Sequence, residues 1–223
     1  MDEAIKLRCH MLSDVVGYPK EKSKREHLTQ TAKSALLKLA RENLFGYQDF
    51  EGNKYTGKGN ELEDVAINGS GVIRGLNFHK NELRLENDFI SGECDIYIPS
   101  RKLIIDTKCT WSIKTHPFFE GEGLKKVAEL GYEWQMQGYM WLYGCDFAEV
   151  DFWLFPCPES CLTSKDDPYK VIELVNSIPF NQRHTTVVIE RKEDKIAQIA
   201  ERVEKCQTYY ASIVEEFMNR TNK

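Results

Sequence analysis

No stretch of this 223-residue chain approaches the roughly 18 consecutive apolar residues that a membrane-spanning helix needs. The opening residues, MDEAIKLRCHMLSD, carry acids and lack an apolar core of signal-peptide length. Both absences point to the cytoplasm. An excess of positive charge is missing too. The formal net charge is −5, so there is no global electrostatic case for nucleic-acid binding. A disulfide framework is equally unsupported, because the seven cysteines are odd in number and spread from Cys9 to Cys206. Cys157 and Cys161 form the one close pair. No second pair completes the four ligands that a structural zinc or an iron–sulfur cluster requires. Internal repeats and low-complexity tracts are also absent.

What is present is ordinary for a globular chain, with 41% hydrophobic and 29% charged residues. The length suffices for a full core, with one domain as the default. Glu26 to Leu44 reads as a helix, with Leu28, Ala32, Ala35, Leu36, Leu39 and Ala40 on one stripe. Around it, Lys20, Lys22, Lys24, Arg25, Lys33, Lys38 and Arg41 stand against only Glu21 and Glu26. That basic strip suits a phosphate backbone or a solvated helix face equally well. Gly46 to Gly59 reads as a loop, and Asn60 to Ile67 as a short helix ended by Asn68-Gly69-Ser70-Gly71. Strands are expected from Val72 to Thr107, best at Leu83–Leu85, Asp88–Ser91, Cys94–Ile98 and Leu103–Thr107. A long helix over Lys125–Tyr143 follows, then strands at Ala148–Phe155 and Thr185–Glu190. A closing helix over Lys192–Met218 carries apolar residues at helical spacing and is expected to pack on the core. This order makes an α/β fold with a mixed sheet.

The chemistry concentrates between Gly92 and Lys108. Two strand-like runs flank Pro99-Ser-Arg-Lys102, a tight-turn sequence. A symmetric turn there pairs Ile98 with Leu103, Tyr97 with Ile104, Ile96 with Ile105 and Asp95 with Asp106. Opposed strand residues have Cβ atoms about 4.5–5.5 Å apart, so two aspartates there repel unless a cation lies between them. Oxygen ligands suit a hard ion, Mg²⁺ or Mn²⁺. Lys108 lies two residues beyond Asp106 and so points to the same face, where an ammonium can orient a water or stabilise charge on a phosphate oxygen. Solvent-facing charges on a surface hairpin are the competing reading. The apolar run Leu103-Ile104-Ile105 before Asp106 argues against it, because it reads as a buried central strand.

Asp95 followed by Asp106-Thr107-Lys108 resembles the PD-(D/E)XK nuclease superfamily, with Asp106 in the D/E position. Upstream, Gly59-Asn-Glu-Leu-Glu63-Asp-Val-Ala66 is similar to the helix of the phage lambda exonuclease and RecB-like branches. There a Gly precedes a metal-site Glu by four residues and a small residue follows three later. Glu63 fits that position better than Glu61. Downstream, Trp134-Gln135-Met-Gln137-Gly-Tyr139-Met-Trp141 resembles the Gln-x-Gln helix that follows the catalytic strand. The likeness covers roughly residues 55 to 157.

This resemblance implies a restriction-endonuclease-like core, a mixed central β-sheet flanked by helices. It implies a single nuclease domain over residues 1–223, with the core at about 55–190, an N-terminal helical segment at 1–45 and a C-terminal helix at 192–218. Glu63, Asp95, Asp106, Lys108 and Gln135 become the catalytic set. Glu63, Asp95, Asp106 and the main-chain carbonyl of Thr107 would hold one or two Mg²⁺ or Mn²⁺ ions. Lys108 would position the attacking water, and Gln135 would hydrogen-bond near Lys108 or to DNA. The implied activity is metal-dependent exonucleolytic hydrolysis from double-stranded DNA ends, leaving 5′-phosphates, in phage-type recombination or DNA processing. The implied setting is the cytoplasm of a bacterial or phage-infected cell, with a homo-oligomer and a single-strand annealing protein as partners and no membrane.

Trp111, Lys114, Gln137 and Tyr139 are the candidate DNA contacts, and His116 is a further candidate for lining the channel. Gln137, two residues from Gln135, faces elsewhere and serves packing or DNA. His79 and His184 have no evident partner and are read as structural. Two departures stand out: Asp106 is one methylene shorter than the Glu usual in the lambda-exonuclease type, and the first 50 residues carry no match. A restriction- or repair-type endonuclease, a non-catalytic DNA-binding module and a hydrolase of small phosphate esters are the rival readings.

Overall fold

The structure, a computed structural model, describes residues 4–47 and 52–221. Its elements run β1 (Leu7–Arg8), α1 (Leu12–Val15), α2 (Gln30–Phe45), α3 (Lys54–Arg74), β2 (Leu85–Glu86), β3 (Ile90–Gly92), β4 (Ile96–Ile98) and β5 (Leu103–Cys109). Then come α4 (Glu120–Glu129), α5 (Tyr132–Tyr143), β6 (Phe147–Trp153), α6 (Leu174–Ser177), β7 (His184–Glu190) and α7 (Glu193–Thr221).

The main sheet has the order β4-β5-β6-β7, with β5 and β6 parallel and both outer pairs antiparallel. A small second sheet, β1-β3-β2, is also mixed. The hairpin adopts the symmetric register, Ile96 opposite Ile105, Tyr97 opposite Ile104 and Ile98 opposite Leu103. Pro99–Arg101 forms a 3-10 turn that Lys102 closes in a left-handed conformation, φ 47°.

Strand alternation decides what each face of the sheet meets. Ile104, Ala148, Val150 and Phe152 join Val127, Met136, Met140, Ile199 and Val203 in the largest apolar cluster; α4 and α5 cover that face and α7 packs on α5. Leu103 and Ile105 pack with Ile67, and Trp153 packs with Ala66, so α3 covers the other. Each fully buried aliphatic side chain contributes on the order of 1.5–3 kcal/mol. The closing helix packs on the core through Ile196, Ile199, Val203 and Cys206. Buried Arg202 ties it to the N-terminal segment by donating to the carbonyls of Arg25 and His27. This is the expected α/β architecture, a mixed sheet flanked by helices in a restriction-endonuclease-like core.

Several boundaries differ from the sequence reading. Helix α2 begins at Gln30 because the Thr29 hydroxyl caps it, accepting from Ala32 N at 3.1 Å. The expected loop over Gly46–Gly59 is shorter, since Asn53 caps α3 by accepting from Tyr55 N and Thr56 N. Residues 48–51 of that loop lie outside the described residues.

Asn68-Gly69-Ser70-Gly71 does not end a helix but sits inside α3, which runs on to Gly75 at φ 65°. The glycines there serve close packing: a Cβ on Gly69 would lie 2.9 Å from the Trp153 ring, and one on Gly71 2.6 Å from the Leu76 carbonyl oxygen. The long helix expected over Lys125–Tyr143 is two, α4 and α5, broken at Gly131. Its φ of 72° and its approach to Ser13, whose Cβ would be 2.3 Å from an added methyl, exclude a side chain.

Candidate active site

Strand β5 outruns its hairpin partner. Its pairing with β4 stops at Ile105, whereas its pairing with β6 continues to Cys109 opposite Trp153. Residues 106–109 thus have a strand on one side only, and the Asp95 carboxylate takes the place of a strand on the other. Asp95 Oδ2 accepts from Thr107 N at 2.6 Å and from the Thr107 hydroxyl at 2.7 Å. Asp95 is therefore fixed against the main chain between Asp106 and Lys108.

Asp106 shares the face of Ile104 and is buried, with 2% exposure. Lys108, one pleat further, keeps 24% side-chain exposure, and its Nζ lies 2.5 Å from Asp106 Oδ2. The two are an ion pair by distance, but off the angle of a hydrogen bond. Asp106 Oδ2 is thus a buried oxygen without a hydrogen-bond donor. Burial raises the Asp106 carboxyl above its usual range; Lys108 opposes that, while Asp95 and Glu63 add to it. Burial works against the Lys108 charge, but Asp106 and Asp95 outweigh it and hold the ammonium protonated. Its Nζ also lies 5.1 Å from the centroid of the Tyr132 ring, in cation–π range.

A cleft of about 400 Å³ opens beside these groups. Thr56, Gly59, Asn60 and Glu63 of α3 form one wall; Asp95, Thr107, Lys108, Cys109 and Tyr132 form the other. Glu63 comes from the helix on one face of the sheet and Lys108 from the opposite face, and they meet where β5 has a free edge. A larger cleft of about 680 Å³, lined by His10, Asp14, Lys38 and Glu42, lies between the N-terminal segment and α2. It contains none of the expected catalytic residues, so the smaller one is the chemical candidate.

Among the described residues no three histidine, cysteine or carboxylate side chains converge closely enough to hold a metal as they stand. Glu63 is turned to Lys80, whose Nζ is 2.6 Å from Oε2. The donor set nevertheless fits a hard cation. Carboxylate oxygens of Glu63 and Asp95 face the cleft, and beside them Asp106 Oδ2 is buried without a donor.

Other expected site residues fall differently. Gln135 is half-buried on α5 and donates from Nε2 to the Tyr139 hydroxyl at 3.0 Å. Gln137 and Tyr139, expected at DNA, are not available to it. Gln137 is fully buried; its Nε2 donates to Glu190 O at 2.7 Å and its Oε1 accepts from Lys192 N at 2.9 Å, joining β7 to α7. Tyr139 is 6% exposed and lies where a Cβ on Gly92 would meet its ring at 2.6 Å. Both belong to the core because they lie on the inner side of α5. His116 is likewise buried, bonded through Nδ1 to the Thr110 hydroxyl at 3.1 Å, and does not line a channel. Burial pushes its pKa down to about 4.

Lys114 is exposed. Trp111 is half-buried, with Lys54 Nζ 4.6 Å from its ring centroid and Tyr55 edge-on at 5.1 Å. His184 does have a partner: its Nε2 lies 3.1 Å from Asp151 Oδ1. All seven cysteines are free thiols.

Two site residues escaped the sequence reading. Tyr132 lies three positions before Gln135 on the same helix face, a spacing from which it was recoverable. Lys80 had no local signal at all.

Among solved structures the chain is similar to a phage-related exonuclease from Haemophilus somnus 129PT, at 53% identity. The match covers 96% of this chain and 97% of that one, with a TM-score of 0.93. The chain belongs to the family of phage-related exonucleases. An alkaline exonuclease, LHK-Exo, from Laribacter hongkongensis shares the fold at 18% identity and a TM-score of 0.64, over 97% of this chain and 93% of that one. The same enzyme in complex with dAMP matches at 17% identity and a TM-score of 0.61, with the same coverage. No protein-family model matches the chain, and no curated protein does. Membership places a nuclease fold around the cleft just described. No helix among the described residues is long and apolar enough to cross a membrane.

Proposed function

We propose that this protein is a metal-dependent exonuclease of the PD-(D/E)XK type that hydrolyses DNA from its ends in phage-type recombination or DNA processing. The observation that carries the reading is Asp106. It is a buried carboxylate with one oxygen left without a donor, beside a protonated Lys108 at the edge of a cleft shared with Glu63 and Asp95. A carboxylate kept at that cost, in a chain 53% identical to a phage-related exonuclease, is best explained by chemistry.

In this reading Glu63, Asp95, Asp106 and the Thr107 carbonyl hold one or two Mg²⁺ or Mn²⁺ ions. When bound, such an ion supplies Lewis-acid polarisation of the phosphoryl oxygen and lowers the pKa of water. The chain does the rest. Asp95 locks Thr107 through two hydrogen bonds and so fixes the free edge on which its carbonyl is carried. Lys108, held protonated, is a donor and not a base; it orients the attacking water and stabilises charge on a non-bridging phosphate oxygen. The water gives up a proton to solvent as its oxygen forms the new bond to phosphorus; the bond to the 3′ oxygen breaks, that oxygen takes a proton from solvent, and a 5′-phosphate and a 3′-hydroxyl result. Gln135, one helical turn beyond Tyr132, lies within reach of the same region. Lys114 and Trp111 lie on the segment that follows β5 and are the remaining candidate DNA contacts.

The test is digestion of linear, closed-circular and end-labelled duplexes in Mg²⁺, beside an Asp106→Ala variant. Loss of linear DNA only, absent in the variant, is the expected result. Cutting of closed circles would establish an endonuclease instead. Equal activity in the variant would remove the site assignment.

A further inference from the structure

Glu63 is the one proposed metal ligand already paired with a cation that is not part of the β5 motif. Its Oε2 accepts from Lys80 Nζ at 2.6 Å. Lys80 comes from the irregular segment between α3 and β2, but that segment is fastened in place. The neighbouring Asn81 donates from its main-chain N to Asp95 O at 2.8 Å. Its side-chain amide donates to Cys94 O and to the Tyr143 hydroxyl, both at 3.0 Å. The lysine is thereby anchored to the stretch of chain that carries Asp95. Its ammonium stands near Glu63, Asp95 and Asp64, and the Glu63 hydrogen bond is the chief reason its charge is favoured.

The pair is exchangeable, since Lys80 and Glu63 retain 44% and 33% side-chain exposure, and ion pairs this open to water are weak. A divalent ion and Lys80 compete for the same carboxylate oxygen. The charge balance turns on which of them wins. Glu63, Asp64, Asp95 and Asp106 against Lys80 and Lys108 leave the region around the cleft net negative, which repels a phosphate. One divalent ion cancels that excess and frees an ammonium beside the ligands.

We propose that Lys80 is a built-in counter-cation of Glu63, displaced when a divalent ion binds and then used to hold a phosphate of the nucleic acid. This rests on the reading of Glu63, Asp95 and Asp106 as metal ligands.

The experiment uses the full chain, with Lys80→Met and the charge-conserving Lys80→Arg, each checked for native folding by thermal melting. Mn²⁺ is titrated calorimetrically without DNA. A short fluorescent duplex is then titrated by anisotropy in Ca²⁺ and in EDTA. Lys80→Met is expected to bind Mn²⁺ roughly fivefold more tightly, the limit of what a half-exposed ion pair contributes. It is also expected to lose most of the gain in duplex affinity that Ca²⁺ gives the wild type, while Lys80→Arg stays close to wild type in both. Unchanged or weaker Mn²⁺ binding by a folded Lys80→Met would overturn the counter-cation role. An unchanged Ca²⁺-dependent gain would overturn the phosphate role. Failure of the wild type itself to bind Mn²⁺ would overturn the metal reading and this proposal together, an outcome distinct from the first two.

Discussion

Lys108 Nζ stands 2.5 Å from Asp106 Oδ2, yet Oδ2 receives no hydrogen bond. The two residues are one pleat apart on a strand that has lost its neighbour on one side, so their closeness follows from the backbone. Taken out of water, a pair of this kind adds little net stability.

Asp106→Asn removes the charge and keeps the shape. Activity on end-labelled duplex is expected to fall at least about 100-fold, the scale on which a transition-state electrostatic group acts. Melting temperature should stay level or rise, because a buried carboxylate without a donor disappears. Lys108→Met should also abolish activity, but with a stability loss of roughly 2 kcal/mol, since Asp106 is left without its counter-ion. Parallel kcat and Tm measurements on the two variants check this; a strongly destabilised Asp106→Asn would contradict it.

Gln137→Ala separates core from contact. Its buried amide joins Glu190 O to Lys192 N, so the variant leaves a cavity and two part-buried main-chain groups without their partner. A stability loss of about 2 kcal/mol is expected with unchanged duplex affinity. Weakened DNA binding by a variant of native stability would restore Gln137 to the interface.

Asp151 supplies a pH prediction. It is fully buried and accepts from Ser70, Arg74, Thr186 and His184. Burial alone would raise its carboxyl, but the bonds from His184 and Arg74 outweigh this and leave it well below the usual range. A carboxyl depressed in the folded state stabilises the fold above the unfolded pKa, near 4, and that stability is lost as pH falls toward the folded value. Asp151→Asn should cost on the order of 3 kcal/mol at pH 7 and flatten the acid limb below pH 4, as read by urea unfolding across pH.

His116 acts in a higher window. Its folded pKa, pushed down to about 4 by burial, lies below the unfolded value near 6.5. The neutral ring is the form the fold accommodates, so stability is complete above pH 6.5 and declines as pH falls toward 4. Replacement by Phe should reduce the loss of urea midpoint between pH 6.5 and 4.5. An identical pH profile in the variant would show that some other group carries it.

Much of the fold was legible because it is written in short-range periodicity. Alternation in Leu103–Lys108 placed Asp106 and Lys108 on one face, and the Pro99–Lys102 turn fixed the hairpin register. Helical spacing located the buried stripe of α7. The glycines misled, since a glycine that breaks a helix and one that admits a neighbouring ring look alike in sequence. Gly131 ends a helix, whereas Gly69 only makes room for Trp153. Local spacing gave Gln135 and Gln137 different faces but could not say which was covered, because that depends on where β7 and α7 return.

The sequence by itself determined that Asp106 and Lys108 share one face of β5, since side-chain direction there has a period of two residues and needs no distant partner. Only the tertiary structure decided what surrounds them. The docking of α3 brings Glu63 to the free edge of β5, and the anchoring of Asn81 brings Lys80 to Glu63. Those meetings depend on packing between segments far apart in the chain, which no local spacing encodes.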